Sequence, residues 1–395
     1  MEQRRFSGKS QWYHETQSSL CPTDIQPLVP EAAHVNDRFL LDLIVPQEQQ
    51  DAEAAWLIFA RIIADSLLPE RVSTSRLHTL SCYERLSTAL TVAQVFGVQR
   101  LCNYYAARLA PFSSPDSSRE TNRRLTLLTQ FARQLASQPT SLSEGALNEL
   151  SDCGLSASDA VLFVQIIGFV GFQARAIALL QARQRLPVRL LPGFSGQQDA
   201  PAELFIHEGD RGWQSDLPEV IAPYATDEQT AVIESCPPES VLFALRRLLA
   251  HNAETLPAFI RLSHQFWPSV SSLTDDNVLV MLLTARINGS VGDFNQLQAR
   301  WQGDPGLPDA MRNGERALQA WSHNRPRERA IIQATQVLTR YPERFSDAQF
   351  SPLLEYGLSE QQAFRLFVSA GLAGWINRLR IGLGHTLKEP KTLPF

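Results

Sequence analysis

Apolar positions recur with a helical period over most of this chain. Between 52 and 68, "AEAAWLIFARIIADSLL" puts Trp56, Phe59, Ile63 and Leu67 on one face, which predicts an amphipathic helix. The same period predicts a second helix from about Cys82 to Phe96 and a third from roughly Gln99 to Ala110. "PFSSPDSSRE" reads as a loop, and three further helical patterns lie between Arg123 and Ala182. No alternating run of β-branched residues is long enough to predict a strand. Residues 186–225 carry Pro and Gly every few positions. They read as an ordered linker in which Leu204, Phe205 and Trp213 seek burial. Residues 1–40 are poorly periodic and read as an arm packed on the body or on a neighbouring subunit.

The pattern also repeats. "LASQPTSLSEGALNELSDCGLS", from Leu135, aligns without a gap on "LTRYPERFSDAQFSPLLEYGLS", from Leu338. Pro139 meets Pro342, Leu150 meets Leu353, and Gly154-Leu155-Ser156 meets Gly357-Leu358-Ser359. The register runs on to Gly171-Phe172 over Gly374-Trp375 and to Arg175 over Arg378. In each "GLS" the Gly suits a left-handed helix end and the Ser caps the next helix. The expected fold is all-α, a tandem duplication of one helical unit. Its expected parts are an arm at 1–51, a first repeat at 52–184, a linker at 185–239, a second repeat at 240–386 and a tail at 387–395.

The formal net charge of -5 offers no basic field for nucleic acid or an anionic membrane, so neither is an expected partner. The opening residues lack the apolar core of a secretion signal. The run nearest to transmembrane length, "ASDAVLFVQIIGFVGFQARAIALL", is interrupted by Asp159, Gln165, Gln173 and Arg175 and reads as buried helix. A cytoplasmic location is expected. The five cysteines, Cys21, Cys82, Cys102, Cys153 and Cys236, are odd in number and widely spaced. They form no disulfide framework, zinc cluster or dithiol motif. The eight histidines are scattered too, so no metal and no cofactor are expected. Neither a phosphate-binding glycine loop nor a nucleophile elbow is present.

Each "GLS" helix closes on an aromatic residue and then an Arg, and "ARINGSVGDFNQL" follows an apolar helix. In these residues the chain resembles the carboxymuconolactone decarboxylase and alkylhydroperoxidase AhpD superfamily. The resemblance implies a helix with an acidic start, a break at Asn-Gly, a Cys-x-x-Cys opening the next helix and a His one turn on. The thiolate, its pKa lowered at the helix start, attacks a peroxide oxygen, the second Cys closes a disulfide, and Glu and His relay the proton. Counted from Gly97, Val98 and Leu101 take the two Cys positions, Tyr105 the His and Leu86 the Glu. Counted from Gly289, Ser290 and Asp293 take the Cys positions, Leu297 the His and Val278 the Glu. The family's constellation is therefore replaced in both repeats. Cys102 stands one residue past the second Cys position, about 100° round a helix. Glu84 stands two residues from the Glu position.

The candidate catalytic residues are thus Cys102, Tyr105 and Glu84, and the candidate binding positions are Val98, Leu101, Ser290 and Asp293. Read without the resemblance, Ser290 and Asp293 form a capping box, Cys102 is an inert buried thiol and Glu84 is a solvated helix-start acid. Arg175 and Arg378 either pair with acidic helix starts such as Glu84 and Asp276 or compensate helix C-termini in solvent. The resemblance implies a peroxidase-like oxidoreductase taking a hydroperoxide or other small apolar ligand between the halves. Residue chemistry favours a non-catalytic member that binds a small molecule or a protein. Lactone decarboxylase chemistry is weakened by the missing histidine. Ring-forming single-unit relatives imply a homo-oligomer, a dimer or trimer.

Overall fold

A computed structural model describes residues 31–76, 78–113, 115–188, 196–206 and 212–387. Among these the chain is all-α apart from one short ladder. The first half holds α1 (Gln47–Leu67), α2 (Cys82–Phe96), α3 (Gln99–Leu109), α4 (Arg119–Ser137), α5 (Ala146–Asp152) and α6 (Ala157–Arg183). Short helices α7 (Asp227–Glu234) and α8 (Arg246–Leu249) follow. The second half holds α9 (Leu256–Phe266), α10 (Asp275–Asn288), α11 (Val291–Gln298), α12 (Gly306–Arg312), α13 (Glu315–Ser322), α14 (Pro326–Arg340), α15 (Asp347–Glu355) and α16 (Glu360–Leu383).

Local chemistry sets the helix ends. Ser81 accepts from the Glu84 amide at 3.3 Å and the Glu84 carboxylate accepts from the Ser81 amide at 2.8 Å, a capping box that starts α2. Gly97 ends α2 with φ 68°, and Gly289 ends α10 with φ 84°, both in the left-handed region. The two "GLS" stretches do as expected. Gly154 and Gly357 take φ of 91° and 96°, and Ser156 and Ser359 cap α6 and α16.

Helices α6 and α16 pack against each other more extensively than any other pair. They approach closely because Gly168 has no side chain: a Cβ there would stand 1.9 Å from Trp375. Trp375 stacks on Phe259 at 4.0 Å between ring centroids and lies edge-on to Phe169 at 5.7 Å. A second aromatic group joins Trp56 to Phe39, Phe172 and Phe266. Phe39 brings residues just before α1 into this core, so the body begins earlier than 52. Helix α6 is long and apolar enough to cross a membrane, but its apolar stretch is wholly buried inside the protein.

Arg175 and Arg378 fit neither expectation. Both are fully buried within their helices rather than exposed at a helix end. Arg175 donates to Gly171 O at 2.8 Å and to Thr339 O at 2.5 Å in the other half. Arg378 donates to Gly374 O and to Ala136 O, each at 3.0 Å. Their guanidinium carbons stand 4.5 and 5.3 Å from the Phe96 ring centroid. Burial, with the like charge of Arg378 adding to it, holds Arg175 well below its ordinary value. Burial alone pushes Arg378 down to about 10. The acidic helix starts pair elsewhere, Glu84 with Arg124 at 2.5 Å and Asp276 with Arg327 at 2.6 Å.

The linker differs from its reading in two ways. Phe205 is buried and Trp213 half-buried, but Leu204 is exposed. A ladder the sequence did not suggest joins β1 (Trp213–Ser215) to β2 (Gly384–Thr386), antiparallel, with Gln214 opposite His385. Trp213 Nε1 also donates to Arg380 O at 2.8 Å, which fastens the linker to the end of α16. The parts of the linker at 189–195 and 207–211, Cys21 and most of the N-terminal arm lie outside the described residues.

Candidate functional site

In the first half the α2–α3 break is closed by packing. Val98 precedes α3 and Leu101 sits in its first turn, both buried in the core. Cys102 is half-buried, and its amide donates to Val98 O at 3.1 Å as an ordinary helix bond. Burial pushes its thiol up to about 12. At neutral pH a thiol of that kind stays protonated. Tyr105 is buried and donates to Gln173 Oε1 at 2.6 Å, while Gln173 Nε2 donates to Phe39 O at 2.8 Å. Burial raises the Tyr105 phenol well above its ordinary value. Glu84 is not solvated. It is buried, accepts from Ser81 and pairs with Arg124, which also donates to Cys153 O at 3.1 Å. These groups each hold a fold element in place.

The second half is arranged differently at the same break. Ser290 makes no capping hydrogen bond to the α11 amides, so the expected capping box is absent. Its hydroxyl instead donates to Asp293 Oδ2 at 2.6 Å. Asn377 Nδ2 donates to the same oxygen at 2.7 Å, and Arg380 Nε stands 2.9 Å from Asp293 Oδ1. The sequence reading missed Asn377 and Arg380; they sit on α16, and only the packing of α16 against α10 and α11 brings them in. From Asn377 the bonding runs inward: Asn288 Nδ2 donates to Asn377 Oδ1 at 3.0 Å, and Gln197 Nε2 to Asn288 Oδ1 at 2.7 Å. Arg378 Nη2 donates to Gln197 Oε1 at 2.9 Å. A buried polar chain thus runs from the centre of the molecule to Asp293, and each amide is oriented by its two partners.

Two cavities flank this group. One is a cleft of about 550 Å³ lined by Ser290, Gly292, Arg380, Trp213 and His385, with Leu142 from the first half opposite them. His385 Nδ1 lies 2.6 Å from Asp216 Oδ1 in that cleft. The other is a pocket of about 250 Å³ whose walls include Leu273, Met281, Leu297 and Ile376, with Asp293, Asn377 and Arg380 on one side. Asp293 and Leu297, the positions that the resemblance would give to a Cys and a His, both line it. Val98, Leu101, Cys102, Tyr105 and Glu84 line neither cavity.

The site holds no thiol, and no His, Cys, Asp or Glu group fit to bind a metal exists among the described residues. What it offers is a mainly apolar wall, a fixed carboxylate and a guanidinium. No protein-family model matches the chain, and no curated protein is significantly similar to it.

Proposed function

We propose that the chain is a tandem, two-unit protein of AhpD-like architecture that binds a small molecule at the α10–α11 break of its second unit. The observation that carries this is the set of four residues Ser290, Asp293, Asn377 and Arg380, joined in one bonded group between two cavities. Counted from the glycine breaks, Ser290 and Asp293 fall on Val98 and Leu101, and in the register that pairs Leu135 with Leu338, Asn377 and Arg380 fall on Ala174 and Ile177; all four are buried apolar residues. A polar set on one side and an apolar set on the other argues for a purpose at the second site beyond holding the fold. The tandem reading draws support from the crossed arginines, since Thr339 and Ala136 are themselves paired by that register. It draws support as well from the matched Glu84–Arg124 and Asp276–Arg327 pairs.

A thermal-shift survey of small acids, alcohols, amines and hydroperoxides tests this reading. Several compounds are expected to raise Tm in a saturable way. A survey in which none does so overturns it.

The peroxidase reading has one specific point in its favour, the thiol of Cys102 next to the family position. Its pKa and burial weigh against it. Turnover of cumene hydroperoxide with dithiothreitol is expected to stay at the thiol background in both the wild type and Cys102→Ala. Turnover above background that the substitution abolishes would reverse the choice.

A further inference from the structure

We infer that the pocket beside Asp293 takes a compact organic monoanion, its carboxylate on Arg380 and its apolar body among Leu273, Met281, Leu297 and Ile376; this rests on the small-molecule reading above. The pocket, at about 250 Å³, lies below the usual range of ligand cavities, about 300–1,000 Å³, so the ligand is small. Its walls are mainly apolar and carry the joined group of Asp293, Asn377 and Arg380, the arrangement that orients an amphiphile.

The hydrogen-bond inventory of that side selects the ligand's charge. Asn377 has spent its Oδ1 on Asn288 and its Nδ2 on Asp293. Asp293 accepts from Ser290 and Asn377 and forms an ion pair with Arg380. Arg380 is only 6% exposed, and its buried Nε stands 2.9 Å from Asp293 Oδ1 as an ion pair without a hydrogen bond. No acceptor among the described residues meets its Nη1 or Nη2. Both amino groups reach solvent at the cavity wall, so an acceptor entering the pocket can take them. The planar fork of those donors matches a carboxylate. Arg300 also lines the pocket, exposed and without a partner among the described residues. Two guanidiniums against one carboxylate leave one positive charge. A neutral ligand could accept from Arg380 through one oxygen but would leave the positive charge unbalanced, and a cation would be repelled.

Titration calorimetry of the full chain with hexanoate, 1-hexanol and hexylammonium tests the assignment. Hexanoate is expected to saturate one site, with the alcohol and the amine weaker by about tenfold or more. Arg300→Gln, a change at an exposed position, is expected to weaken hexanoate by about threefold and leave hexanol unchanged. Arg380→Gln combined with Asp293→Asn, which neutralises both buried charges, is expected to erase the preference. Hexanol or hexylammonium binding as tightly as hexanoate in the wild type would overturn the anion while leaving the small-molecule reading intact. Hexanoate that fails to bind while other compounds of the thermal-shift survey do would have the same meaning. A preference for hexanoate that survives both variants would place the anion elsewhere and overturn the assignment too.

Discussion

Asp293 and Arg380 hold each other where neither is tolerable alone. Removing only the carboxylate, as in Asp293→Ala, leaves the guanidinium buried without its counter-charge and is expected to cost about 3–5 kcal/mol in urea denaturation. The double variant Asp293→Ala, Arg380→Met is expected to lose markedly less, and equal losses would contradict the coupling. Ser290-x-x-Asp293 has the spacing of a capping box, and nothing local in the sequence separates the two arrangements. The donor that decides the matter, Asn377, lies 84 residues further along the chain. Cys102 carries a second prediction. Its pKa is raised from about 9 unfolded to about 12 folded, so the folded chain keeps a proton that the unfolded chain releases. Its contribution to stability is therefore complete below about pH 9 and is lost as pH rises through about 12. Native Cys102 is expected to react with iodoacetamide far more slowly at pH 8 than in urea, as peptide mapping would show. Equal rates would mean the thiol is open.

At the scale of elements, glycines that end helices differ in what surrounds them, as Gly289 after α10 and Gly357 after α15 show. A Cβ on Gly289 would stand 2.1 Å from Thr140 Cγ2 and 3.0 Å from the Ala200 Cβ, besides the strain of φ 84°. At Gly357, with φ 96°, a Cβ would meet nothing within 4 Å. Gly357→Ala is expected to cost about 1 kcal/mol and Gly289→Ala at least about 2 kcal/mol more, measured as the difference in unfolding free energy. Similar losses would mean that the loop bearing Thr140 yields freely. Helices α2 and α3 begin where the sequence pattern put them because Ser81, Glu84 and Gly97 act within a few residues. The β1–β2 ladder was not legible. Each strand has three residues, too few for an alternating pattern, and its partner lies on the far side of the second half.

For the whole molecule, the crossed contacts of Arg175 and Arg378 and the packing of α6 on α16 make one core of the two halves. Urea unfolding followed by tryptophan fluorescence and by circular dichroism is expected to give one coincident transition. Two separated transitions would mean that the halves are independent. The all-α class was legible because long amphipathic runs need only the chain's own period. The shared core was not, because the partners of the two buried arginines are backbone carbonyls that any residue supplies.

On the proposed tandem reading, the covalent join of unlike halves has a consequence for how such a protein changes over generations. In a symmetric assembly of identical chains every substitution falls on all sites at once, so no single site can be altered while its twin is kept. A fused chain escapes that constraint. On that reading, buried Val98, Leu101, Ala174 and Ile177 fill one half's positions with packing, which leaves the residues around Asp293 to carry the polar group alone. If ligand binding is confined to that side, a titration would count one ligand for each chain and two for each pair of chains.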